Sequence, residues 1–158
     1  ESPRTAKAMS LLLPYPMRLA LDLAIEAAAH GEVPVGAVVM RGDEVVAAAA
    51  NRMSAGTDPT AHAEMEVIRA ATARLGAQRL DDCDLYVTLE PCAMCAGAIS
   101  HARLRRLYYG AEDPKGGAVA HGSRFFAQST CHHRPELYGG IGEIESADLL
   151  RGFFAARR

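Results

Sequence analysis

No apolar run in this sequence approaches the roughly 18–20 residues that a membrane span needs, so no transmembrane helix is expected. The N-terminus offers Arg4 and Lys7 but only Leu11-Leu12-Leu13 before Pro14 and Pro16, too short for the apolar core of a secretory signal. Residues 1–16 are expected to be a disordered leader, with Met17 as an alternative start, and residues 17–158 a single domain. Cysteine is also scarce: Cys83, Cys92, Cys95 and Cys131. Four thiols could form two disulfides. Without a secretory signal, metal-binding or free thiols are favoured, and the cytoplasm is the expected compartment. Nor is there a strong net charge. At −2 the chain is no polycation that would hold nucleic acid by bulk charge. No internal repeat or low-complexity segment marks a second domain.

What is present suits one packed core. The chain has 158 residues, 49% of them hydrophobic and 23% charged, ordinary values for a soluble globular domain. The charge is uneven. Residues 1–100 carry 8 Lys/Arg against 13 Asp/Glu, and residues 101–158 carry 9 against 6. An anionic partner would therefore be gripped by the C-terminal part.

The pattern along the chain alternates helix and strand. Leu19, Leu23 and Ala27 have a helical period, and Gly31 is a suitable stop after it. Residues 35–40 and 45–50 are two apolar runs around Gly42, which predicts a hairpin buried on both faces. After a polar loop, Thr60 is placed to cap a helix through Met65, Ile68 and Leu75, ended by Gly76. Residues 84–89 are rich in strand formers. Glu90-Pro91 starts a helix running to about His101, and residues 105–109 form a fourth strand. Residues 118–142 are the least regular, with short pieces expected near Phe125-Phe126 and Leu137-Tyr138. A closing helix spans 143–158. The expected fold is α/β, a three-layer α/β/α arrangement with a mixed sheet of about five strands and helices on both faces.

Two stretches carry the chemistry: Thr60-Ala61-His62-Ala63-Glu64 and Glu90-Pro91-Cys92-Ala93-Met94-Cys95. Cys92 and Cys95 share one helix face, near a helix N-terminus that favours thiolate. His62 and Glu64 are two apart, which mid-helix would separate them, but side chains at a helix start lean past its end. Two helix starts facing each other could thus converge on one ion, outside the carboxyl ends of the strands. Singly, each element is ambiguous. A lone Cys-x-x-Cys also suits a redox site, a lone histidine a helix cap, and a lone glutamate a solvated surface. Jointly, His-x-Glu, 26 intervening residues and Pro-Cys-x-x-Cys form the pattern of zinc nucleobase deaminases, whose glutamate is acid/base and not a ligand. Three protein ligands leave a fourth position open, as catalytic zinc requires. Cys131-His132-His133 is not taken as a second metal site, because three adjacent residues rarely converge without further ligands.

Beyond these motifs the chain resembles the cytidine deaminase-like superfamily, and within it the bacterial tRNA-specific adenosine deaminases of the TadA type, over about residues 17–158. The resemblance rests on Glu32-Val-Pro-Val-Gly-Ala37, Asn51-Arg52, Asp58-Pro-Thr-Ala-His-Ala-Glu64, residues 85–97, the Asp113-Pro-Lys-Gly-Gly117 loop, and Phe153-Phe154 with Arg157-Arg158. It implies one zinc ion per subunit held by His62, Cys92 and Cys95, with Glu64 as proton shuttle. It implies Asn51, Val33, Pro34 and the Ala63 backbone as base contacts, and Lys115, Arg157 and Arg158 near the RNA. The implied reaction is hydrolysis of adenosine to inosine at the wobble position of an arginine tRNA anticodon loop, by a cytoplasmic homodimer. The chain departs from the family pattern within 118–138. There Ala120 to Phe126 and Cys131-His132 replace familiar residues, while His133-Arg134 match. A free-base deaminase of guanine or cytosine type shares the zinc motif and is the alternative. A non-catalytic RNA-binding subunit is a third reading, disfavoured because Glu64 is present.

Overall fold

The structure, a computed structural model, describes residues 13–157. Helix α1, Tyr15–Ala29, leads into a β1–β2 hairpin, Gly36–Arg41 and Glu44–Ala50. Helix α2, Ala63–Leu75, follows, then strand β3, Asp84–Leu89, helix α3, Ala93–Ala102, and strand β4, Arg106–Ala111. A 3-10 turn at Phe125–Ala127, strand β5 (Glu136–Tyr138) and helix α4 (Glu143–Ala155) complete the chain. Spatially the strands run β2-β1-β3-β4-β5. The first three alternate in direction, and β3, β4 and β5 are parallel. This is the expected mixed five-stranded sheet.

Alternation along β1 divides the core in two. Ala37 and Val39 join Val67, Ile68, Leu85, Ile99 and Leu107 under α2 and α3. Val38 and Met40 join Met17, Ala20 and Leu21 under α1. Helix α4 lies against β4 beside α1, which completes the second outer layer. The β3–β4–β5 register also stacks Tyr86, Tyr108 and Tyr138, with ring centroids 4.3 and 4.9 Å apart.

Several expectations shift. Helix α1 begins at Tyr15, inside the expected leader, while residues 1–12 of that leader lie outside the described residues. Strand β1 is buried on both faces, but β2 is not: it is the sheet edge, and its apolar run is mostly alanine with little surface to bury. A register shift against β1 leaves its carbonyls at Val45 and Val46 to Arg74, whose Nη1 donates to both at 2.7 Å. Helix α2 is not capped by Thr60. Asp58 accepts both the Thr60 N–H (2.8 Å) and its hydroxyl (2.7 Å), so the helix starts two residues later with His62 at the N-cap. Helix α3 likewise begins after Cys92, which is its N-cap, and Pro91 stands outside it.

Helix α1 crosses β1 at Gly36, where a Cβ would collide with the Ala20 carbonyl. Gly36→Ala is therefore expected to lower unfolding stability by roughly 2–3 kcal/mol. Gly152, in α4 with open space around it, gives the opposite expectation: Gly152→Ala should stabilise by about 0.5–1 kcal/mol. Urea unfolding of both variants measures this, and a neutral Gly36→Ala would contradict the close helix–sheet contact.

Candidate active site

The site forms where two loops deliver their chains to helix starts at the carboxyl end of β3. The first loop follows β2. The buried Glu32 carboxylate accepts the N–H groups of Ala55 (2.9 Å) and Ser54 (3.3 Å), and the Arg52 N–H reaches the Ala61 carbonyl at 2.9 Å. These bonds fold the loop back so that His62 sits at the start of α2. The His62 side chain makes no capping bond. Asn51 does that work from outside the helix, with its Oδ1 accepting the Ala63 N–H at 2.7 Å.

That one bond fixes the Asn51 amide. A backbone N–H needs an oxygen, so the side-chain NH2 must point the other way. It has no partner among the described residues, and Asn51 lines the cleft. The same bond occupies the N–H of Ala63, the expected backbone contact to the base, and Ala63 is fully buried.

The second loop is short. Strand β3 ends at Leu89, and Cys92 caps α3 with Cys95 in its first turn. His62 Nδ1 lies 3.6 Å from Cys92 Sγ and 3.5 Å from Cys95 Sγ, and the three donor atoms lie within 4.8 Å of one another. Among the described residues this is the only His/Cys/Asp/Glu group so arranged. A tetrahedral divalent ion bonded at about 2.0–2.1 Å to nitrogen and 2.3 Å to sulfur needs N–S edges of roughly 3.5 Å. The observed edges suit such an ion.

The electrostatics agree. The hydrogen bond from Cys95 is the main cause that lowers the Cys92 thiol to about 5, against the opposing effect of burial, and His62 assists. Cys95 is raised well above its ordinary value because it gives that hydrogen bond and is buried beside Glu64. The protein alone thus supports one thiolate, and a bound cation would stabilise the second. Glu64 lies in the first turn of α2 and is 4% exposed. Burial raises its carboxyl to about 7, with Cys92 adding to the effect and His62 opposing it.

His62, Cys92 and Glu64 line a cleft of about 220 Å³, with Val33, Val35, Asn51, Met53, Leu89, Glu90, Asp113 and Gly116, while Cys95 is fully buried. Pro34 does not line it. It is fully buried at the centre of a tight turn closed by the Val35 N–H on the Val33 carbonyl (2.9 Å), while Val33 and Val35 line the cleft. Val33, Leu89, Asp113 and Gly116 also border a larger outer cleft of about 800 Å³. Lys115, Leu150, Phe154 and Arg157 line the outer cleft, and the Arg157 guanidinium stacks 3.4 Å over the Phe153 ring. Arg158 lies outside the described residues.

Some site residues escape sequence reasoning. Met53 is an ordinary apolar residue whose only signal is closeness to the motifs, and Leu89 lies inside a resemblance-bearing stretch with no rule that singles it out. Asp113 and Gly116 belong to the resemblance-bearing loop but have no spacing rule of their own. Cys131 and His133 are structural: His133 Nε2 lies 2.6 Å from the Leu104 carbonyl, and Cys131 Sγ donates to the His133 carbonyl.

Comparison with known proteins places the chain among deaminases. The chain matches the MafB19-like deaminase family over residues 15–158. It is 58% identical over 142 residues to a tRNA-specific adenosine deaminase of Agrobacterium fabrum, covering 90% of this chain and 93% of the relative. A tRNA-specific adenosine deaminase of Rickettsia bellii is 46% identical over 140 residues, covering 87% and 97%. A structure solved in a study of A-to-I editing by tRNA:A34 deaminases superposes with a TM-score of 0.85 at 57% identity, covering 86% of this chain and 99% of that one.

The thiol chemistry is directly testable. In metal-free protein at pH 7, iodoacetamide should alkylate Cys92 and spare Cys83, whose burial raises its thiol to about 11 and leaves a thiolate fraction of about 10⁻⁴. Because the Cys92 value is lowered, its labelling should persist on acidification and fall only near pH 5. Zinc should protect it. Mass spectrometry reads each site, and preferential labelling of Cys83 would contradict the assignment.

Proposed function

The chain belongs to the MafB19-like deaminase family and, within it, to the tRNA-specific adenosine deaminases, and from that premise we propose that it is a zinc enzyme converting adenosine to inosine at the wobble position, 34, of a tRNA anticodon. One observation carries the reading beyond the comparisons. A metal-ligand triad with a buried glutamate stands in a small cleft that opens into a larger one bearing Lys115 and Arg157. The small cleft suits a single base and the larger one the strand it hangs from. A loop base is already poorly stacked, so turning it into the cleft costs little.

His62 Nδ1, Cys92 Sγ and Cys95 Sγ would hold the zinc ion. When bound there, zinc supplies Lewis acidity that makes water acidic enough to serve as nucleophile near neutral pH. Glu64 takes the proton of the attacking water and passes it to N1 of adenine as the water oxygen bonds to C6. It then carries a proton to the departing amine, so that adenosine and water give inosine and ammonia. Burial favours the protonated carboxyl, and a cation held by the neighbouring ligands would favour the ionised one. That balance suits a group which must both accept and release a proton. Asn51 donates from its fixed NH2 to an acceptor nitrogen on the purine edge, and Val33 packs on the base. Lys115 and Arg157 meet the RNA backbone.

On the family resemblance we propose further that residues 17–158 form the deaminase domain. The enzyme works in the cytoplasm as a homodimer with one zinc per subunit, and arginine tRNA is its substrate.

Glu64→Ala should retain one zinc per chain by metal analysis and lose turnover of an anticodon stem-loop by about 10³-fold or more. Zinc loss in that variant would contradict the assigned role. Asn51→Asp keeps an oxygen for the Ala63 N–H but removes the NH2, so kcat/KM should fall about 100-fold with zinc retained. Ammonia release measures both. Wild-type release from free guanine or cytosine, and none from the stem-loop, would replace the RNA reading with a free-base one.

A further inference from the structure

Glu90 is a residue the chemistry above does not use. It follows β3, and its side chain is completely buried. Oε2 accepts the N–H groups of Val119 (3.1 Å), Ala120 (3.1 Å) and His121 (3.2 Å). Oε1 accepts the Asp113 N–H at 3.1 Å and lies 2.8 Å from His121 Nδ1. A single carboxylate therefore fastens both ends of the segment 113–121.

Between those ends the chain makes a self-closed turn. Asp113 Oδ1 accepts from Gly116 (2.9 Å) and Lys115 (3.2 Å), and the Ala118 N–H reaches the Pro91 carbonyl at 2.9 Å. Glycine is required at 117, where a Cβ would collide with Glu90 Oε2. Lys115 stands in this turn and lines the outer cleft with Arg157. The buried acid thus supports a surface turn that carries a cation, a few residues from the metal ligands.

We propose that Glu90, with His121, is a positioning pair that sets the 113–117 turn so that Lys115 meets the RNA backbone, without taking part in proton transfer. The proposal rests on the RNA reading. A carboxylate is needed because glutamine would turn an NH2 toward N–H groups whichever way its amide faced. His121 is the smaller partner, since the four backbone donors remain without it.

The test uses zinc-loaded wild type, Glu90→Gln, Lys115→Ala and the double variant. KM and kcat are measured on an anticodon stem-loop, and hydrogen exchange is followed at residues 113–121. Glu90→Gln should keep its zinc and lose protection at the Val119, Ala120 and His121 amides. KM should rise about threefold with kcat within about twofold, a coupling of the size seen between groups in one network. Lys115→Ala should raise KM about threefold in wild type and barely change it in the Glu90→Gln background. If Glu90→Gln does not fold, His121→Ala takes its place in the cycle, with a smaller KM rise and the same non-additivity. Additive KM effects, retained amide protection, or a fall in kcat at constant KM would overturn the proposal while leaving the deaminase reading intact. A wild type inactive on the stem-loop, with the amides still protected, would instead sink the function reading and the RNA role together.

Discussion

Two thiol sulfurs and an imidazole nitrogen held within 4.8 Å of one another are the constraint on which the rest of the structure depends. Without a cation, only one of the two thiols ionises readily; the other is held protonated by their shared hydrogen bond and by burial. Bringing the three together requires two helices to begin at one place. The α2 start is set by Asn51, Asp58 and Glu32 acting on the loop before it. The α3 start is set by the end of β3, a central strand buried between β1 and β4. The ligands thus stand on rigid elements, as a site with fixed coordination needs.

From that centre outward the roles separate. Helix starts hold the inner cleft, the proposed place of reaction. A turn and the last helix hold the outer cleft, where Lys115, Phe154 and Arg157 stand. Val33, Leu89, Asp113 and Gly116 border both clefts, so a base in one and its neighbours in the other share walls. Asn51 has two tasks on the inner side. It caps a helix with its oxygen and, in the proposed function, offers its NH2 to the base, so helix α2 orients the group that would read the substrate.

The convergence of His62, Cys92 and Cys95 was legible because helix starts and motif spacing are local signals, whereas Asn51 was named only from the family resemblance. The layered fold was legible for the same reason, since helical and strand periods alternate cleanly up to Ala111. Local rules also account for the misplacements. Thr60 looks like a cap, but Asp58 two residues earlier competes for it. Pro34 sits in the resemblance motif, yet it is buried at the centre of a tight turn and does not line the cleft. The β2 run reads as buried strand because alanine counts as apolar, though at a sheet edge it packs little. Glu90 was the largest omission. Its partners lie 23 to 31 residues away, in a segment with no period of its own, so only the folded chain brings them together.

The central claim is that this pocket receives one adenine from an anticodon loop. The most direct measurement is the identity of anticodon position 34 after unmodified arginine tRNA is incubated with the zinc-loaded enzyme and reverse-transcribed. The account predicts that the adenosine there is read as guanosine, the signature of inosine, and that every other adenosine is unchanged. An unchanged adenosine at that position, from an enzyme preparation that releases ammonia from free guanine, would contradict it.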